Sequence, residues 1–239
     1  MRATLLSLAS VLAALPAVAA DLPLKTPPVA VAQQYNWAGY YLGVEGGGIF
    51  DSSIKATSLD DAFAKFAPKG GVIGGFAGHN WQWGMFVASL EVNLDWAGGS
   101  QTNTLTPKIV PAEALVVPTI ATKAQIDLFG SARARLGIAP IENLLFYGTG
   151  GIAVAHSTGS IIDTGITVAT APTTSVGWVA GAGVEWKILG SPNWLLRGQF
   201  LHYDMGKETF AFGGLVQANV PMAQSFNTAT AGLSYKFQP

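Results

Sequence analysis

The chain has no cysteine among its 239 residues. That excludes disulfides, thiolate metal sites and cysteine nucleophiles together. It also suits the periplasm, where stray thiols are oxidised. Charge is scarce as well: Asp, Glu, Lys and Arg make up 11% of the chain, against roughly a quarter in a soluble domain. The formal net charge of −1 offers no electrostatic footing for a nucleic-acid partner. After residue 20 there is no run of eighteen apolar residues, which argues against a transmembrane helix in the mature chain. Yet 49% of the residues are hydrophobic. A closed β-barrel reconciles the two, because only every second residue of a strand has to meet lipid.

The first twenty residues have the pattern of a cleaved signal peptide. Arg2 is a minimal basic start, an apolar run follows from Ala3 to Leu15, and Pro16 precedes the small residues Ala17-Val18-Ala19-Ala20. Cleavage after Ala19 or Ala20 leaves 12 basic against 14 acidic residues. Residues 21–36 are Pro-rich and aperiodic, as expected of an extended periplasmic linker. The barrel is expected over 37–239.

From Trp37 the hydrophobic pattern takes period two. It gives eight strands, at about 37–49, 70–80, 84–96, 124–138, 143–156, 176–188, 193–204 and 226–237. The connections alternate strictly: about 20 residues, then about three around Trp81, about 27, about four (139–142), about 19, about four around Gly190, and about 21. Long loops on one side, short turns on the other and an even strand count are the plan of an outer-membrane barrel, with both termini on the short-turn, periplasmic side. A soluble sandwich has no reason to sort its loops in this way.

Strand three sets Phe86, Ala88, Leu90, Val92, Leu94 and Trp96 against Val87, Ser89, Glu91, Asn93 and Asp95. Strand four sets Ile126, Leu128, Gly130, Ala132, Ala134, Leu136 and Ile138 against Gln125, Asp127, Phe129, Ser131, Arg133, Arg135 and Gly137. Strands six and eight alternate in the same way, while the Gly-rich strands two and five give no face. Trp37, Trp81, Trp83, Trp96, Trp186, Trp194, Tyr203, Tyr235 and Phe237 fall near strand ends. Rings with an apolar body and a polar edge suit an interfacial belt there.

Several segments resemble a known family. They are Trp37-Ala38-Gly39-Tyr40-Tyr41-Leu42-Gly43, Gly130-Ser131-Ala132-Arg133-Ala134-Arg135-Leu136-Gly137, Tyr147-Gly148-Thr149-Gly150-Gly151-Ile152-Ala153 and Gly177-Trp178-Val179-Ala180-Gly181-Ala182-Gly183-Val184-Glu185. With them the chain looks like the small outer-membrane β-barrel proteins of alphaproteobacteria, often called porin-family proteins, whose fold is like the OmpA transmembrane domain. The end of the chain, Thr230 to Phe237, is similar to the signal that the barrel-assembly machinery reads in such proteins, which implies that role for Gly232, Tyr235 and Phe237. Typical members end on the aromatic residue, whereas Gln238 and Pro239 follow here. The resemblance implies no catalytic residues.

The polar constellation to pursue is interior charge. Glu45, Glu91, Asp95, Asp127 and Glu185 are expected inside the barrel or at its rim, with Arg133, Arg135, Arg197, Lys187 and Lys236. Side chains fill the lumen of an eight-stranded barrel, and buried charges have to be paired. The expectation is a salt-bridged plug. The alternative is a narrow ion path through the same charges, hence a low-conductance porin for small solutes. The glycine runs lack a Gly-Lys-Ser/Thr ending, so they are not phosphate loops. His79, expected at a short turn, His156 and His202 form no metal cluster in sequence, although haemin capture at the surface is a distant reading. A lipid-modifying barrel enzyme would need Ser, His and acid at one rim, and His202 with Asp204 or His156 with Ser157 is too generic for that. The expected function is structural: envelope integrity and four surface loops, with no enzyme activity, cofactor or metal. The expected partners are outer-membrane lipid, lipopolysaccharide and, during biogenesis, the assembly machinery.

Overall fold

A computed structural model describes residues 35–56, 65–66, 69–105, 120–163, 166–214 and 218–237. The signal peptide and all but two residues of the 21–36 linker lie outside the described residues. Eight long strands follow one another: β1 (Gly39–Ala56), β2 (Gly70–Trp83), β3 (Phe86–Leu105), β4 (Ile120–Ile141), β5 (Leu144–Asp163), β6 (Ile166–Lys187), β7 (Trp194–Gly214) and β8 (Ala218–Lys236). Each pairs antiparallel with the next, and β8 pairs back onto β1 from Tyr41↔Lys236 to Ala56↔Met222. The result is a closed up-and-down barrel in which each long strand has a partner on both sides. A two-residue strand, Lys65–Phe66, extends the ladder beside the end of β1.

The short turns are Gly84-Met85, Glu142-Asn143 and Ile188–Asn193. Gly84 and Gly190 take φ of 60° and 83°, where a side chain would be strained. Trp81 lies within β2 opposite Ala88 rather than in a turn. His79 is also a strand residue, wedged between the Tyr40 and Trp81 rings at 4.4 and 4.5 Å.

On the other side the strands run much further than the sequence pattern suggests. β5 continues to Asp163 and β6 starts at Ile166, so most of the 157–175 connection is strand. β7 and β8 likewise take up most of 205–225. The reason is compositional. Residues 157–160 and 170–175 are rich in Ser, Thr and Ala, and Lys207 and Glu208 interrupt the other connection. Such stretches suit a strand in water but lack the sustained apolar alternation that marks a strand in lipid. A membrane crossing takes about 9–11 residues of strand, and β3 to β7 have 20 to 22.

The two faces sort as the alternation requires. In β3, Leu90, Val92, Leu94 and Trp96 are each more than half exposed, whereas Glu91 and Asp95 are 2% exposed. β2 turns Val72, Phe76 and Asn80 inward, and β5 turns Leu145, Tyr147, Ala153 and Ala155 inward. Ile126 departs from the expectation: it is buried inside the barrel. Register shifts at Trp96/Gly99 and Ile126/Leu128 explain this. One extra residue reverses the face of everything beyond it. Trp81, Trp83, Trp96, Trp186, Trp194, Tyr235 and Phe237 face outward, but Trp37 and Tyr203 are fully buried in the lumen and leave the belt.

Candidate functional site in the barrel lumen

The lumen is filled in three levels. Toward the short turns, Trp37, Val87, Ala139, Leu145, Tyr147 and Leu195 form an apolar layer. Toward the long connections, Phe129, Tyr203 and Phe226 anchor a second one. Tyr203 stacks on Phe226 at 4.8 Å, and Phe129 meets both rings edge-on at 5.2 and 5.3 Å. The charges lie between these layers.

Glu91 is the hub of the charged level. Its Oε1 accepts from Arg133 Nη2, its Oε2 accepts from Arg135 Nη1 at 2.7 Å, and Arg197 reaches both oxygens. Glu185 Oε1 accepts from Arg135 Nη2 at 2.6 Å and from Arg197 Nη2 at 2.9 Å. The Tyr41 hydroxyl donates to Glu91 Oε2 at 2.8 Å and accepts from Arg135 Nη1 at 2.9 Å. Three guanidinium groups thus share two carboxylates, all buried. Aromatic faces take up the remaining positive charge. Arg135 lies 3.7 Å from the Tyr147 ring centre and Arg197 3.6 Å from that of Phe76. The backbone leaves room for this: a Cβ at Gly78 would collide with the Tyr41 hydroxyl and with the Leu90 carbonyl.

Glu45 and Asp95 form a separate polar group. Glu45 Oε2 accepts from Gln199 Nε2 at 2.6 Å and from Thr230 Oγ1 at 3.0 Å. Asp95 accepts from Asn93, whose own carbonyl accepts from Ser131. The two acids flank Gly74 in one row of the sheet, Glu45↔Gly74↔Asp95.

Asp127 stays apart from the other charges. It accepts from Gln125 Nε2 at 2.6 Å and Thr158 Oγ1 at 2.7 Å, at the irregularity itself between Ile126 and Leu128. Lys187 and Lys236 stand at the mouth on the short-turn side, each 4.6 Å from the Tyr35 ring centre. Of the histidines, His156 Nδ1 lies 3.2 Å from Thr174 Oγ1, and His202 Nδ1 lies 2.6 Å from Asn227 Oδ1. Among the described residues no three His, Asp or Glu side chains gather where a metal could sit.

Sequence reasoning misses the aromatic layers. Only Phe129 had a signal, since the alternation of strand four turns it inward. It also misses that residues 35–38 fold back into the mouth. Trp37 N–H donates to Gln82 Oε1 at 2.6 Å, Asn80 Nδ2 donates to the Trp37 carbonyl at 3.1 Å, and the Tyr35 hydroxyl donates to the Pro192 carbonyl at 2.6 Å. Burial pushes the Tyr35 phenol up to about 12, with the charge of Glu185 adding to the shift.

The family model described as outer membrane protein beta-barrel domain matches residues 5–237. The 31 kDa outer-membrane immunogenic protein of Brucella melitensis is 30% identical over 254 residues, covering 99% of this chain and all of the relative. The 25 kDa outer-membrane immunogenic protein of the same organism is 30% identical over 227 residues, covering 92% and 91%. Among solved structures, the outer-membrane protein OprG of Pseudomonas aeruginosa has the same kind of fold. Its TM-score is 0.51 at 13% identity, over 84% of this chain and 97% of that one.

Proposed function

Because this chain belongs to the outer membrane protein beta-barrel domain family and resides in the outer membrane, we propose that it is a structural barrel, closed to solutes, that supports the envelope and presents four surface hairpins. The observation that carries this reading is the filled lumen. A charged level that spans the bore lies between two apolar layers, and eight strands leave no channel once side chains fill the interior. The strand extensions supply the surface. The relatives' names, outer-membrane immunogenic proteins, fit a part that antibodies reach, and they are not names of enzymes.

A low-conductance porin for small solutes is the second reading. It is favoured by Arg133, whose Nε and Nη1 have no hydrogen-bond partner in the lumen. Purified protein in a planar lipid bilayer decides between the two. The structural reading expects no steady conductance. Stable, reproducible channels from the unmodified chain would replace it with the porin.

A further inference from the structure

The chain ahead of β1 occupies the lumen mouth rather than hanging from it. Trp37 is fully buried among Val87, Ala139, Leu145 and Leu195, side chains supplied by four different strands. Tyr35 packs edge-on against Trp37 at 5.1 Å. The backbone is pinned on both sides: by Asn80 and Gln82 of β2, and by Lys236 of β8, whose ammonium donates to the carbonyls of Asn36 and Ala38. The bonds to Asn80 and Gln82 lie within the neighbouring β1–β2 hairpin, but the contacts with β3, β4, β5, β7 and β8 need the mouth to exist already. The burial of Trp37 therefore has to wait until the ring has closed.

We propose that Tyr35–Ala38 are a lid, which docks after closure and seals the lower lumen from the periplasm. The proposal rests on the closed-lumen reading, but it concerns one mouth only. The lid is held by side-chain contacts and a few hydrogen bonds, without a β-ladder of its own. Such a segment opens more easily than the barrel wall, whose strands are paired on both sides. Trp37 is its stopper. Lys236 is its clasp and joins the lead-in of the first strand to the last residue of the last strand. Opening the lid exposes the apolar layer at Val87 but leaves the charged level above it intact.

The absence of native cysteine makes a direct test possible. Val87→Cys places a thiol behind the lid, and Ala153→Cys places one in the upper apolar layer beyond the charged level. Both are made in protein folded in dodecylmaltoside micelles, and a charged maleimide measures their reactivity. With the native lid both thiols react slowly. Adding Trp37→Ala is expected to speed reaction at position 87 by about tenfold or more, while position 153 stays protected. Equal reaction at 87 with and without Trp37, in barrels that still show heat-modifiable migration, overturns the lid. Faster reaction at both positions also overturns it, since Trp37 would then only support the barrel as a whole. If Trp37→Ala fails to fold, Lys236→Met removes the clasp and the same contrast is read from it. Conductance of the unmodified chain would defeat the closed-lumen reading, whereas protection at position 87 reports on the lid alone.

Discussion

Glu91 binds Arg135 at 2.7 Å although the two are not partners in the sheet: Glu91 stands opposite Arg133, and Arg135 stands opposite Ser89. The ladder therefore supplies one ion pair by register, and the other forms because both side chains lean into the same bore. Arg135 continues to Glu185, on a strand two positions further round. Two carboxylates and one guanidinium so tie β3, β4 and β6 together inside the barrel.

Glu91→Gln keeps the shape of the hub and removes its charge. Arg133 then loses its ion-pair partner, and Arg135 and Arg197 keep Glu185 alone. Breaking a buried pair by removing one partner costs about 3–5 kcal/mol, so the variant is expected to lose its compact, SDS-resistant form at a clearly lower temperature than the parent. Gel migration of samples heated in steps measures this. A variant as heat-resistant as the parent would mean that Glu91 holds nothing together.

The lipid face is tested at Leu90, which is 58% exposed on the outside of β3. An arginine on the lipid face near the bilayer midplane costs about 2–4 kcal/mol. Leu90→Arg is expected to lower the yield of folded barrel in lipid vesicles, and Leu90→Phe to leave it near the parent level. Similar yields for the two would mean that this face of β3 does not meet lipid.

Much of this was legible because period two is a strong signal where one face is apolar. Over 86–96 of β3 and 177–186 of β6 the inward and outward residues can be read from the alternation. It fails where its physical basis is missing. Gly-rich β2 and β5 have too few side chains to show a face. The bulge near Asp127 reverses Ile126 with no composition signal. The extensions of β5 to β8 lack a sustained apolar alternation and so resemble loops. The inward charges could be named, but not their partners, since register alone does not place the tip of a long side chain. Trp37 and Tyr203 share the composition and position of belt residues, and only the closed ring shows that they turn inward.

Topology is tested with single cysteines. Met85 lies in a short turn and Thr209 in the exposed part of β7 beyond the outer belt. In intact cells Thr209→Cys is expected to react with a membrane-impermeant maleimide, and Met85→Cys only after the outer membrane is permeabilised. The reverse pattern would turn the barrel upside down in the membrane.

Arg135→Lys asks whether the site needs a guanidinium or only a positive charge. Arg135 donates from Nη1 to Glu91 and Tyr41, donates from Nη2 to Glu185, and lies over Tyr147 with Cζ 3.7 Å from the ring centre. An ammonium is a compact point charge. It cannot span two carboxylates with a planar fork or stack on the ring in the same way. The substitution keeps the charge count of the lumen, so simple electrostatic balance expects no effect. The geometry expects a loss, on the order of 1–3 kcal/mol for a buried charged hydrogen bond left unmade, with a lower temperature for loss of the SDS-resistant form. Arg135→Met separates the terms further, since it keeps much of the volume and removes the charge. If Lys matches the parent and Met alone is impaired, charge balance holds the cluster together. If Lys and Met are impaired alike, the fork and its stack on Tyr147 hold it.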